Sequence, residues 1–138
     1  MALVVDASLA AAWFLPDEQN DAADSVMGEL GVNPGRAPSL FWFETRNLFL
    51  VAERRRRLQP GEAATTMAQL RGFPILDEGT GNDRLTLALA ERHGLSGYDA
   101  SYLALALSQN LPLATLDKKL ANAARAQGVA VRGSGAAP

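Results

Sequence analysis

The sequence predicts an α/β domain built on a mainly parallel sheet, and three observations carry that expectation. Short runs such as Leu3-Val4-Val5 and Val129-Ala130-Val131 are apolar throughout, as strands buried on both faces are. Longer stretches with helix start and stop residues separate these runs, which is the alternation that βα units produce. The chain has 138 residues, 48% of them hydrophobic, enough for one core without staples.

Taken in order, Leu3-Val4-Val5 is read as a buried strand ending at Asp6. Ser8 is placed to cap a helix through Trp13-Phe14-Leu15, and Pro16 stops it, since proline cannot continue a helix ladder. Asp17 to Leu30 reads as one acidic-faced helix closed by Gly31. A short strand over Arg36 to Ser39 leads into a long helix from Leu40 to Arg57. Pro60 opens a further helix to about Leu70, and Phe73-Pro74-Ile75-Leu76 is a strand. Thr80 to His93 is a helix closed by Gly94, and Gly97 to Asn110 a helix rich in Leu and Ala. Leu113-Ala114-Thr115 is a strand, Lys118 to Gln127 a helix and Val129 to Val131 a last strand. The domain is expected to span residues 1–132, with 133–138 (Gly-Ser-Gly-Ala-Ala-Pro) as a disordered tail.

Composition removes several classes of function. With no cysteine, there is no disulfide framework, thiolate zinc site or cysteine nucleophile. The N-terminus lacks a basic segment followed by a long apolar one, so no signal peptide is expected. No stretch reads as a membrane span, and the cytoplasm is the expected location. His93 is the only histidine, which excludes a histidine-rich zinc site; beside Gly94 it fits a helix C-terminus, where the dipole favours a cation. Net charge is -2, and all basic residues but Lys118 and Lys119 are arginine. Arg54-Arg55-Arg56-Arg57 either contacts phosphate or is the solvated end of a helix; both readings stay open.

Ligands of parallel α/β sheets bind beyond the carboxyl ends of the strands, and Asp6 and Asp117 each follow a predicted strand. Glu44 shares a helical stripe with Phe41, Leu48 and Val51, where a carboxylate loses hydration and needs a cation or a proton. Asn47, one turn on, is placed to orient it. Asp99 has capping-box spacing from Ser96, a structural duty compatible with a ligand beyond the helix end. Asp77, after Ile75-Leu76, is read as loop and cap chemistry and serves as the contrasting case. Gathered together, Asp6, Glu44, Asp99 and Asp117 repel one another unless a counter-ion is present. Hard oxygen donors without cysteine suit Mg²⁺, with Mn²⁺ as substitute, and hence phosphoryl chemistry.

The segments Val4-Val5-Asp6-Ala7-Ser8 and Ala12 to Glu18, then Phe43-Glu44-Thr45-Arg46-Asn47-Leu48, Leu95 to Ala106 and Leu113 to Leu120, resemble in order the motifs of PIN-domain proteins, particularly VapC-type toxins. The resemblance implies a three-layer α/β/α fold and an Mg²⁺- or Mn²⁺-dependent endoribonuclease. It assigns Asp6, Glu44, Asp99 and Asp117 to the catalytic metal-binding cluster, with Ser8, Asn47 and Thr115 in support. It also implies a structured RNA substrate, a cognate antitoxin whose tail fills the acidic groove, and a homodimer. A response-regulator receiver fits poorly, because Asp6 has no acidic neighbour. An RNA-processing nuclease without a toxin role, or a non-cutting PIN scaffold, are the remaining alternatives.

Overall fold

A computed structural model describes residues 1–133. Five strands, β1 (Val4–Val5), β2 (Gly35–Ala37), β3 (Ile75–Asp77), β4 (Leu113–Thr115) and β5 (Val131–Gly133), form one sheet in the order β3-β2-β1-β4-β5. Every pairing is parallel. Seven α-helices connect them: α1 (Ala7–Phe14), α2 (Asp21–Leu30), α3 (Leu40–Arg54), α4 (Glu62–Arg71), α5 (Asp83–His93), α6 (Gly97–Gln109) and α7 (Lys118–Ala126). Helix packing falls into two sets: α1 with α2 and α3, and α3 with α4; then α6 with α5 and α7. These are the outer layers of an α/β/α sandwich. No helix among the described residues is long and apolar enough to cross a membrane.

The chain winds outward from β1 through β2 to β3, then crosses back to lay β4 on the other side of β1. Strand order therefore reverses between β1 and β4, where a doubly wound sheet opens a crevice at its carboxyl edge. The register pairs Val5 with Ala114, so Asp6 leaves β1 level with Thr115. The core on the α1 side is aromatic: Phe14 stands edge-on to Phe49 at 5.9 Å and 5.4 Å from Phe73, and Trp13 lies 5.3 Å from Phe73. Trp13 Nε1 donates to the Ala23 carbonyl at 2.7 Å, satisfying the one polar atom that this ring carries inward.

Local structure departs from the sequence reading at several places; α4 starts at Glu62, not Pro60, α5 at Asp83, not Thr80, and β3 at Ile75, not Phe73. Asp6 caps α1, because its carboxylate accepts from Ser8 N–H; the Ser8 hydroxyl is spent elsewhere. The expected helix from Asp17 is broken: Pro16–Glu18 form a 3-10 turn, and Asn20 starts α2 by accepting from Ala23 N–H. Helix α3 stops at Arg54, with Arg55 as its cap and Arg56 in the left-handed region at φ 60. Strand β5 begins at Val131 and includes Gly133, the first residue assigned to the tail. Residues 134–138, the rest of that expected tail, lie outside the described residues. Gly94 adopts the left-handed conformation (φ 62) expected of a helix-ending glycine, whereas Gly31 ends α2 in a right-handed one (φ -68).

Candidate active site

Asp6 is the centre of the site. It is buried at 5% exposure, yet three donors face it. Ser8 N–H donates to Oδ1 at 3.0 Å, Ser8 Oγ to the same oxygen at 2.5 Å, and Thr115 Oγ1 to Oδ2 at 2.5 Å. Both hydroxyls are themselves fixed by backbone donors across the β1–β4 junction: Leu116 N–H donates to Ser8 Oγ at 2.9 Å and Asp117 N–H to Thr115 Oγ1 at 3.0 Å. With those amides occupying the hydroxyl oxygens, each hydroxyl proton is free to point at Asp6. The supporting places expected for Ser8 and Thr115 are thus occupied by residues that touch Asp6 directly. Burial pushes the Asp6 carboxyl up to about 6; the Ser8 and Thr115 bonds oppose that, and the Asp117 charge adds to it.

The other three acids lie on separate elements, and of them Asp117 acts directly on Asp6. Asp117 is exposed and caps α7, its Oδ1 accepting from Leu120 N–H at 3.1 Å. Asp99 sits in the first turn of α6, where Ser96 Oγ accepts from its N–H at 3.0 Å. Burial raises the Asp99 carboxyl, as does the Asp117 charge, while Lys119 pulls the other way. Glu44 projects from the margin of α3: the buried stripe is Phe41, Trp42, Thr45, Phe49 and Ala52, not the one containing Glu44. Its carboxyl is raised by burial and by Asp99, against a lowering bond from Tyr102. Like-charge interactions therefore link Glu44 to Asp99, Asp99 to Asp117 and Asp117 to Asp6. The links are pairwise: among the described residues no three His, Asp or Glu side chains are gathered so as to hold one metal ion.

Tyr102 is the residue that sequence reasoning missed. It is fully buried, donates to Glu44 Oε1 at 2.5 Å, and feels the charges of Glu44, Asp6 and Asp99, all of which, after burial, raise its hydroxyl. Its spacing of three from Asp99 put it on the same helix face, which was the available signal. Asn47, assigned the task of orienting Glu44, lines the groove beside it, and Tyr102 makes the bond. Lys119 was likewise not singled out.

The remaining candidates divide. Asp77 accepts from Ser39 Oγ at 2.7 Å and Gly79 N–H at 2.9 Å, which is loop chemistry as expected. His93 ends α5 with Nε2 2.8 Å from Gln127 Nε2. Arg57 makes a two-pronged bond to Asp17, with Nε to Oδ2 at 3.0 Å and Nη2 to Oδ1 at 2.9 Å, and also meets Glu18. All four arginines of the run are exposed, and the clasp is what sets Arg57 apart from Arg54, Arg55 and Arg56.

The Ser8–Asp6–Thr115 bridge spans the β1–β4 switch point, and known proteins resemble this chain along nearly its whole length. The PIN domain family matches residues 3–126. The chain belongs to the PIN-domain family, VapC type. It is 34% identical over 124 residues to the ribonuclease VapC3 of Pyrobaculum aerophilum, covering 88% of this chain and 93% of that one. Among solved structures, PAE2754 from Pyrobaculum aerophilum superposes with a TM-score of 0.72 at 25% identity, covering 95% of this chain and 83% of the other. A toxin–antitoxin complex from Klebsiella pneumoniae shares the fold, with a TM-score of 0.58 at 20% identity and coverage of 86% and 89%.

Proposed function

We propose that this PIN-domain chain is a metal-dependent endoribonuclease, the toxin of a toxin–antitoxin pair, with Asp6, Glu44, Asp99 and Asp117 holding Mg²⁺ (or Mn²⁺) against an RNA phosphodiester. The observation that carries the reading is the electrostatic linkage of these four carboxylates at the sheet's switch point. Converging like charges cost free energy that a dication relieves. The donor set is hard oxygen, which favours Mg²⁺ or Mn²⁺. Among the described residues no three His, Asp or Glu side chains form a ready-made cage around one ion. Mg²⁺ itself requires only one or two carboxylates and completes its shell with water and substrate phosphate.

A metal held by Asp6, Glu44, Asp99 and Asp117 would supply Lewis-acid charge and lower the pKa of a water. The chain's own residues orient the donors. Ser8 and Thr115 lock both Asp6 oxygens, Tyr102 fixes Glu44, and the backbone of α7 fixes Asp117. Each is a preset that costs no reorganisation during the reaction. Arg54, Arg55 and Arg56 are the candidates for guiding RNA phosphate, with Arg57 held by Asp17.

The toxin reading carries partner proposals with it. An antitoxin cation approaching the four acids would mimic metal charge. Its apolar residues have a candidate berth of about 420 Å³ between α3 and α4, lined by Leu50, Ala63 and Met67 with Arg46 and Arg71 at its edge. The homodimer rests on the family resemblance alone.

The test is RNA cleavage by purified protein. Activity is expected in Mg²⁺ or Mn²⁺, none in EDTA, and none for Asp6→Asn or Asp99→Asn. Expression in a bacterium should arrest growth, and Asp99→Asn should relieve the arrest. Full cleavage in chelator removes the metal proposal. Normal growth with soluble, cleavage-competent protein turns the reading to RNA processing without a toxin role.

A further inference from the structure

The aromatic residues divide sharply by exposure. Of two Trp, two Tyr and five Phe, only Phe43 and Tyr98 are strongly exposed, at 61% and 64%. Both line the same groove, of about 490 Å³, together with Leu40, Glu44 and Asn47. Scattered exposed apolar side chains mean little, but two aromatics converging on one concavity mark a ligand surface.

That groove is continuous with the acid cluster. Glu44 belongs to both, and Tyr98 directly precedes Asp99 in the first turn of α6. Arg46 lays its guanidinium over one face of the Phe43 ring, 5.1 Å from the centroid, so a cation already stacks there while the ring stays 61% exposed. Two ring faces, one cation and a neighbouring phosphate-processing site are the elements with which proteins hold an unstacked base and its backbone. A base inside a duplex is already stacked and paired and has no free face for such rings.

We propose that Phe43 and Tyr98 form a stacking platform for the base of a ribonucleotide adjacent to the scissile phosphate. This rests on the nuclease reading, and it adds the two residues that hold the base. Phe43 and Tyr98 are specificity residues here: they bind the base and take no part in moving protons.

The test uses full-length protein in Mg²⁺ and two probes, adenosine 5′-monophosphate and ribose 5-phosphate, titrated by NMR. The nucleotide should bind about 10- to 100-fold more tightly than the sugar phosphate, the size of one stacked base. Phe43→Ala combined with Tyr98→Ala should erase that advantage while leaving ribose 5-phosphate unchanged, and Phe43→Trp with Tyr98→Phe should restore it. With RNA, the double alanine variant should raise KM for an unpaired oligonucleotide by a similar factor with little change in kcat. Equal binding of the two probes by the wild type, or failure of either to bind, overturns the platform. So does a double variant that shifts the protein from dimer to monomer in sedimentation while binding both probes as before, since the rings would then serve a second copy of this chain. Cleavage of RNA by the wild type is measured separately, so failure of the nuclease reading is told apart from failure of the platform.

Discussion

At the scale of single residues, burial of charge is the dominant fact. Asp6 accepts three hydrogen bonds and still has its carboxyl pushed up to about 6, because desolvation outweighs them. A raised pKa means that the folded state holds the proton more tightly than the unfolded chain does. The associated stability is fully present below the ordinary carboxylate range and is lost as pH rises through about 6. Glu44 and Asp99 shift in the same direction. In chelator, therefore, the melting temperature should fall between pH 5 and pH 8, with Asp6 contributing about 1.4 kcal/mol, the one pH unit from 5 to its raised value of about 6 at roughly 1.4 kcal/mol per unit. Asp6→Asn should flatten the decline, and a melting temperature that rises over this interval contradicts the assignment. Tyr102→Phe tests the other buried contact. Losing the bond to Glu44 removes the interaction that lowers the glutamate's pKa. Activity should then fall about tenfold at neutral pH and recover as pH or Mg²⁺ is raised, with the fold retained by near-ultraviolet circular dichroism.

At the scale of elements, helix starts do two jobs. Asp99 and Asp117 both sit at the beginnings of helices, α6 and α7, where sequence spacing alone explains them as capping residues. Asp77 looks the same in sequence yet is spent on Ser39 and Gly79 at the end of β3, the edge strand of the sheet. Asp77→Asn should leave RNA cleavage within about twofold of wild type and cost on the order of 1 kcal/mol, while Asp99→Asn should be inactive with an unchanged circular dichroism spectrum. Comparable losses from both variants count against the chosen site. The end of α3 makes a second distinction. Helix α3 stops at Arg54, the chain turns at Arg56, and Arg57 folds back onto Asp17 and Glu18. Replacing Arg54, Arg55 and Arg56 by Gln should weaken RNA binding and reduce the slope of log affinity against log salt. Arg57→Gln should change that slope less, because its guanidinium already has carboxylate partners. An equal effect from both substitutions returns the run to a generally solvated surface.

At the scale of the whole molecule, the doubly wound topology gathers the site. Residues 6, 44, 99 and 117 come from the β1–α1 junction, α3, α6 and the β4–α7 junction, and the reversal between β1 and β4 sets Asp6 beside Thr115 and Asp117. An ion that binds this edge binds the folded chain alone, so Mg²⁺ should raise the melting temperature by mass action. Protons compete for the same carboxylates, so the rise should be larger at pH 8 than at pH 5.5, and EDTA should reverse it. A metal-induced shift that is equal at both values, or that persists in Asp6→Asn, places the ion elsewhere.

Much of this was legible in the sequence, because it rests on local rules. Proline, glycine and apolar runs mark most of the element boundaries, and the strand–helix alternation requires a parallel sheet with ligands at its carboxyl edge. Asp6 and Asp117 could be chosen from the residues before them. What local rules misjudged was competition. Asp6, not Ser8, caps α1, because the Ser8 hydroxyl is drawn between Leu116 N–H and Asp6, partners brought together only by the β1–β4 pairing. The Arg54 to Arg57 run reads as one helical surface until Asp17, forty positions earlier, claims one member. The partner of Glu44 could not be ranked for the same reason: Asn47 is near in sequence, but Tyr102 arrives from another helix, buried and with a proton to donate. Backbone preference is set by neighbours along the chain and so can be read from it, whereas the choice of hydrogen-bond partner for a buried polar group depends on which donors the packed fold delivers, and the tertiary structure alone decided that.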